Sequence, residues 1–252
     1  MIDITLLCLT SPLAAVFRIE PFAYKTVILR GPGHAARFLG ALANNRPPEF
    51  AQLYVKALCI PPSIPLRPIL QLLAVCSGLE SLALWIPVQA DTADLINLIS
   101  SLPLTFLSLN IRCILPLNSP NLDIQNHPAL VNITHLDIVN QWVLWKSSLG
   151  IEHLPLLTHL ALRSWSRGSI DTALLTILRE SPKLRVLILL ADSLVIHRAR
   201  KYLEEQGVRD IRMVVLRHAR DVDEWELMKR DSLTMWQRAD IIVEWRRRNR
   251  GW

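Results

Sequence analysis

Leu79-Glu80-Ser81-Leu82-Ala83-Leu84 places leucine at the first, fourth and sixth positions of a Leu-x-x-Leu-x-Leu unit. The last two leucines are two apart. On an extended backbone they share one side, while Ser81, Ala83 and Trp85 take the other. The same apolar spacing returns at Leu104/Leu107/Leu109, Ile133/Leu136/Ile138, Leu157/Leu160/Leu162 and Leu184/Leu187/Leu189. Looser copies stand at Tyr24/Val27/Leu29, Val55/Leu58/Ile60 and Val208/Ile211/Met213. The units start at 24, 55, 79, 104, 133, 157, 184 and 208, in steps of 24 to 31 residues, and leucine-rich repeats recur every ~20–29 residues. Leucine itself accounts for 46 of the 252 residues. The expected fold is α/β: a leucine-rich-repeat solenoid of about eight repeats of 24–31 residues, with parallel strands on the concave face and helices on the convex face.

Parallel strands need a returning crossover, and the residues between units supply it. Ala35 to Asn44, Pro68 to Cys76, Ala93 to Ser101, Asp171 to Glu180 and Ser193 to Gln206 have helical composition. Asp91 or Thr92, Asp171, and Asp192 or Ser193 are candidate N-caps, Pro68 suits a first turn, and Gly78 and Gly207 are candidate C-terminal caps. Pro116 to Leu130, rich in Pro and Asn, reads as an enlarged convex loop.

The organisation expected is a cap over residues 1–19, the repeats over 20–217, and a helical C-terminal cap with a basic tail over 218–252. Trp225, Trp236 and Trp245 in that last segment are read as sealing the open end of the solenoid, with a partner-binding helix as the alternative. Ile4 to Phe17 is free of charge, but no Lys or Arg precedes it and Pro12 interrupts it, unlike a signal peptide. No uncharged run is long and apolar enough to span a bilayer. Four scattered cysteines (Cys8, Cys59, Cys76, Cys113) without a Cys-x-x-Cys pair point to a reducing compartment, cytoplasmic or nuclear.

Net charge is +6, and residues 195–252 hold 14 Lys/Arg against 10 Asp/Glu, so most of the excess lies there. Arg246-Arg247-Arg248-Asn249-Arg250 is its one compact run. Polyanion or nucleic-acid binding through this region, with Arg198, Arg200 and Lys201, is the alternative reading. It is weakened by interleaved Glu204, Glu205 and Glu244 and by the lack of an aromatic stacking platform.

No enzyme constellation emerges. Gly31-Pro32-Gly33 lacks the third glycine of a dinucleotide fingerprint and reads as a plain strand-to-helix turn. The seven His show no metal spacing, and no Gly-x-Ser-x-Gly elbow occurs. No catalytic residue, metal or cofactor is expected. What alternation does assign is a surface: Trp85, His135, Asp137, His159, Arg163 and Trp165 share the side opposite the leucines. Trp and Arg dominate protein-recognition hot spots, so these six are the candidate protein-binding residues. His135 and His159 also follow Thr134 and Thr158 at one repeat position, which alternatively makes them partners in bonds between adjacent turns.

Several stretches carry a family likeness: Glu20-Pro21-Phe22-Ala23-Tyr24-Lys25-Thr26-Val27, Pro48-Glu49-Phe50 ahead of Val55-Lys56-Ala57-Leu58, Cys76-Ser77-Gly78-Leu79-Glu80-Ser81-Leu82, Leu157-Thr158-His159-Leu160-Ala161-Leu162 and Ser181-Pro182-Lys183-Leu184-Arg185-Val186-Leu187. In these the chain resembles the leucine-rich F-box-type proteins of mushroom-forming fungi. The resemblance implies a substrate-recognition module of a ubiquitin ligase, with a protein target on the concave face and a cullin-ligase adaptor subunit as second partner. An F-box opens on a Leu-Pro-x-Glu-like helix, and the residues before Glu20 carry none. The resemblance is therefore to the repeat part, and neither a membrane nor nucleic acid is an expected partner.

Overall fold

The structure is a computed structural model that describes residues 22–87, 92–115, 124–139, 148–163, 170–218 and 221–249. It contains one sheet of eight parallel strands in chain order: β1 (Thr26–Ile28), β2 (Ala57–Ile60), β3 (Ser81–Leu84), β4 (Phe106–Leu109), β5 (His135–Ile138), β6 (His159–Arg163), β7 (Val186–Ala191) and β8 (Met213–Arg217). Register follows the repeat. Leu58, Leu82, Leu107, Leu136, Leu160 and Leu187 pair in a row from strand to strand, and Met213 continues the row.

That last pairing corrects the eighth unit. Met213 stands opposite Leu187, the second apolar position of its unit, so the last unit is Asp210/Met213/Val215 and not Val208/Ile211/Met213. Ile211 is left 41% exposed. Asp210 takes the first leucine's place by a polar route. It accepts from the backbone N–H and the Nε of Arg212, whose guanidinium also reaches the carbonyls of Leu178, Ser181 and Leu184.

The crossovers carry α1 (Pro32–Asn45), α2 (Phe50–Tyr54), α3 (Leu66–Val75), α4 (Ala93–Ser101), α5 (Ile170–Glu180) and α6 (Ile196–Glu205); among the described residues the units between hold the 3₁₀ turns Ile111–Cys113 and Ile151–His153. Phe38, Leu42, Leu72, Leu73, Ile99, Leu174, Ile177 and Leu203 press on the leucine rows and form the larger core. α1 opens on Gly31, whose φ of +154° favours glycine, followed by Pro32 in the first turn. α6 starts at Ile196, later than Asp192 or Ser193, and ends in a Schellman turn. Gly207 there, at φ +69°, donates to Glu204 O while Val208 donates to Leu203 O. Gly78 is no such cap. A Cβ on it would lie 1.9 Å from the Gln52 carbonyl oxygen, so its role is close approach to α2.

Cys59, Cys76 and Cys113 are buried and unpaired, and burial pushes their thiols up to about 12, 12 and 11. Among the described residues no helix is long and apolar enough to cross a membrane. The N-terminal cap over 1–19, Asp91 and Cys8 lie outside the described residues, as does the 116–123 part of the enlarged loop.

The last two helices depart most from expectation. α7 (Asp221–Lys229) and α8 (Met235–Arg248) do not stack on the end of the sheet. They lie across its second face and bury Trp225, Met235, Trp236, Ala239 and Val243 against Cys59, Ala83, Phe106, Ala161, Ile188 and Val214. Arg30 at the end of β1 donates to Glu226 of α7, and Arg246 of α8 donates to the carbonyls of Ile211 and Met213 beside β8. The pair spans the whole sheet because this face is itself apolar along β7 and would otherwise meet water. Trp245, by contrast, is 52% exposed.

Candidate functional site

Five of the six candidate residues come together on the roofed face. Period-two alternation turns them away from the leucines, and parallel pairing sets them in adjacent rows. Asp137 stands opposite Ala161, Ser108 opposite Asp137, and His135 opposite His159. Trp165 lies outside the described residues.

A hydrogen-bonded chain crosses four strands. Trp85 Nε1 donates to Ser108 Oγ at 2.8 Å, Ser108 Oγ donates to Asp137 Oδ2 at 2.7 Å, and Arg163 approaches Asp137 with Nε on Oδ1 at 3.1 Å and Nη2 on Oδ2 at 2.5 Å. The Arg163 guanidinium also lies 5.7 Å from the centre of the Trp85 ring. Asp137 is 2% exposed, Trp85 7% and Arg163 8%. This is a two-pronged buried ion pair whose second carboxylate oxygen is also hydrogen-bonded by a hydroxyl.

Beside it the two histidines stack, ring centres 4.1 Å apart and planes 6° from parallel. Trp236 of α8 sets its ring nearly perpendicular to both, and to Phe106. The Thr134 hydroxyl lies 3.0 Å from the Thr105 carbonyl and 2.9 Å from His135 Nδ1; Thr158 repeats the pattern with the Thr134 carbonyl and His159 Nδ1. The bonds between adjacent turns allowed by the sequence are thus present. On its outer side His159 Nε2 faces both Asp240 oxygens at 3.3 Å, with Arg185 3.9 Å from the same carboxylate. Burial holds His159 below the ordinary histidine range against the pull of Asp240. Burial, and next the neighbouring His159, push His135 down to about 4. Both rings are therefore neutral near pH 7. In a neutral His159 that donates from Nε2 to Asp240, Nδ1 is an acceptor and competes with the Thr134 carbonyl for the single Thr158 hydroxyl proton.

Between sheet and roof, a cavity of about 20 Å³ bordered by Asp137, Arg163, Trp225 and Trp236 has room for one water molecule. Among the described residues no group of three His, Cys, Asp or Glu could hold a metal ion. The basic residues of the alternative reading are largely engaged with their own chain. Besides Arg246, Arg200 reaches the Val215 carbonyl, Lys201 lies 3.7 Å from Glu205, and Arg247 and Arg248 lie 3.8 and 3.0 Å from Glu244. Arg250 lies outside the described residues.

Sequence reading assigned Trp236 to the end of the solenoid and missed Ser108, Phe106 and Asp240. Ser108 and Phe106 were within reach, since they occupy the positions equivalent to Asp137 and His135 in the preceding unit. Trp236 and Asp240 come from a helix that lies outside the repeat. Compared with models of protein families, with curated proteins and with solved structures, the chain has no match.

Proposed function

We propose that the chain is a leucine-rich-repeat solenoid and a non-enzymatic protein-interaction module. In this reading it is the target-recognition part of an F-box-like ubiquitin-ligase receptor, and its own C-terminal helices occupy the recognition face until a target replaces them. The observation that carries the reading is the roofed face itself. Trp85, His135, Asp137, His159 and Arg163 converge there, and the C-terminal helices already pack on Trp85, His135 and His159, as a helix from another protein could. The ligase half of the proposal rests on the family likeness in the repeats.

The test is hydrogen–deuterium exchange on the full chain with a target captured from the source cells. A target on the sheet face speeds exchange in α7 and α8; unchanged exchange in both helices removes the sheet face as its site. A target whose cellular level stays flat when cullin ligases are inhibited removes the ligase half. Polyanion binding has less support, because most of its arginines are engaged with this chain's own carbonyls and carboxylates. A steep fall of DNA binding with salt would favour it.

A further inference from the structure

Among the described residues β1 is an edge of the sheet. The Lys25 carbonyl accepts from the N–H groups of Lys56 and Ala57, and the Leu29 N–H donates to Cys59 O at 3.0 Å. Residues 25, 27 and 29 therefore turn their backbone groups to β2. In a parallel ladder the alternate residues, Thr26 and Ile28, turn theirs outward. Those outward N–H and C=O groups have no hydrogen-bond partner among the described residues. They are not left on a flat rim. A groove of about 310 Å³ runs along this edge, walled on one side by His34, Arg37 and Phe38 of α1 and on the other by Lys229 at the end of α7. Its floor includes Tyr24, Thr26 and Ile28, and among the described residues no Asp or Glu lines it.

An edge strand with unpaired backbone groups is a template for another strand, and proteins commonly blunt it with charge or cover it. Here the charged side chains that line the groove, among the described residues, are basic and stand on the walls, and the nearby Glu226 is paired with Arg30. We propose that this groove binds an extended acidic segment of a partner protein, which adds to β1 as a ninth strand. Backbone hydrogen bonds to Thr26 and Ile28 hold it, and period two sends its side chains alternately to Arg37 on one wall and Lys229 on the other. The Lys229 wall belongs to α7 of the roof, so the groove is complete only while the roof is in place.

The test uses fluorescence polarisation with the full chain and a labelled, end-blocked peptide of four Glu-Val repeats. The expected result is saturable binding. It weakens about tenfold or more when alternate peptide amides are N-methylated, and comparably in the Arg37→Glu, Lys229→Glu double variant, two exposed positions whose change leaves the core intact. Lys201→Glu, a charge change on α6, is expected to leave binding unchanged. Equal binding of a Lys-Val peptide, or of the N-methylated one, overturns the proposal, because attraction is then unspecific or needs no strand pairing. Binding seen only after residues 1–21 are removed also overturns it, by making the chain's own N-terminal segment the occupant.

Discussion

Asp137 is buried yet receives bonds from Ser108 and from two nitrogens of Arg163. Its loss takes the two-pronged carboxylate partner from the buried Arg163 guanidinium. Asp137→Ala is expected to cost about 3–5 kcal/mol, while Ser108→Ala, which removes one neutral link, costs about 1–2 kcal/mol. Replacing both charges at once by apolar residues of similar size, Asp137→Leu with Arg163→Met, is expected to recover most of the loss, because neither partner is then left unpaired. Urea midpoints of the three variants check the ordering; a double variant less stable than Asp137→Ala would show that the pair is worth more than its desolvation. The histidines set a pH dependence. His135 is about 4 folded against an ordinary unfolded value near 6.5. The folded state therefore binds fewer protons, and stability is whole above about pH 6.5 and falls as pH drops towards 4. His159 is shifted in the same direction. Protonation of either ring would also set a cation 4.1 Å from its stacked neighbour, with Arg185 adding to the repulsion and Asp240 opposing it. The expected loss between pH 7 and pH 4.5 is on the order of 2–3 kcal/mol, and it should shrink in His135→Phe, measured as thermal midpoint against pH.

At the level of elements, the glycines separate two causes. Gly78→Ala drives a Cβ into the Gln52 carbonyl, a backbone atom that can yield only by moving α2, and is expected to cost about 1–3 kcal/mol. Gly40→Ala, inside α1 with nothing within 4 Å of the new methyl, is expected to stabilise by about 0.5–1 kcal/mol. The two variants, compared by denaturant midpoint, should move in opposite directions. Strand positions were legible because a leucine row leaves an unmistakable spacing: seven of the eight units pair in the register their leucines imply. The eighth slipped by two because Asp210 and Arg212 perform with hydrogen bonds what a leucine does elsewhere, and spacing alone cannot detect that. For the site, alternation placed Trp85, His135, Asp137, His159 and Arg163 on one face, but it could not show what lies over them. The sequence of β7 does carry one signal of a cover. Val186 to Ala191 is apolar without a break, and a strand that is apolar on both faces is covered on both. The stripe of Met235, Trp236, Ala239 and Val243 on α8 is the matching half.

For the whole molecule, the roof changes how stability is shared. In a repeat array each unit contacts its neighbours, so the ends can fray while the middle holds. Here α7 and α8 tie distant strands together: Glu226 to Arg30 beside β1, Trp225 to Phe106 in β4, Trp236 to His135 and His159 in β5 and β6, and Arg246 to the carbonyls beside β8. The exposed Arg30–Glu226 pair contributes little by itself. The two buried tryptophans contribute more, since truncating a buried aromatic side chain costs about 3–5 kcal/mol. β1 has the most to lose, being three residues long and paired on one side among the described residues. In the intact chain the Leu29 amide, bonded to Cys59 O, and the Leu187 amide, bonded to Arg212 O, are expected to open with the same free energy, because the roof makes both ends part of one cooperative unit. In the Trp225→Ala, Trp236→Ala double variant the two should part, Leu29 opening first. Native-state hydrogen exchange at low denaturant reads both amides in one experiment. If Leu29 already exchanges through a cheaper opening in the intact chain, or still opens together with Leu187 in the variant, then the helices cover the sheet without coupling its ends.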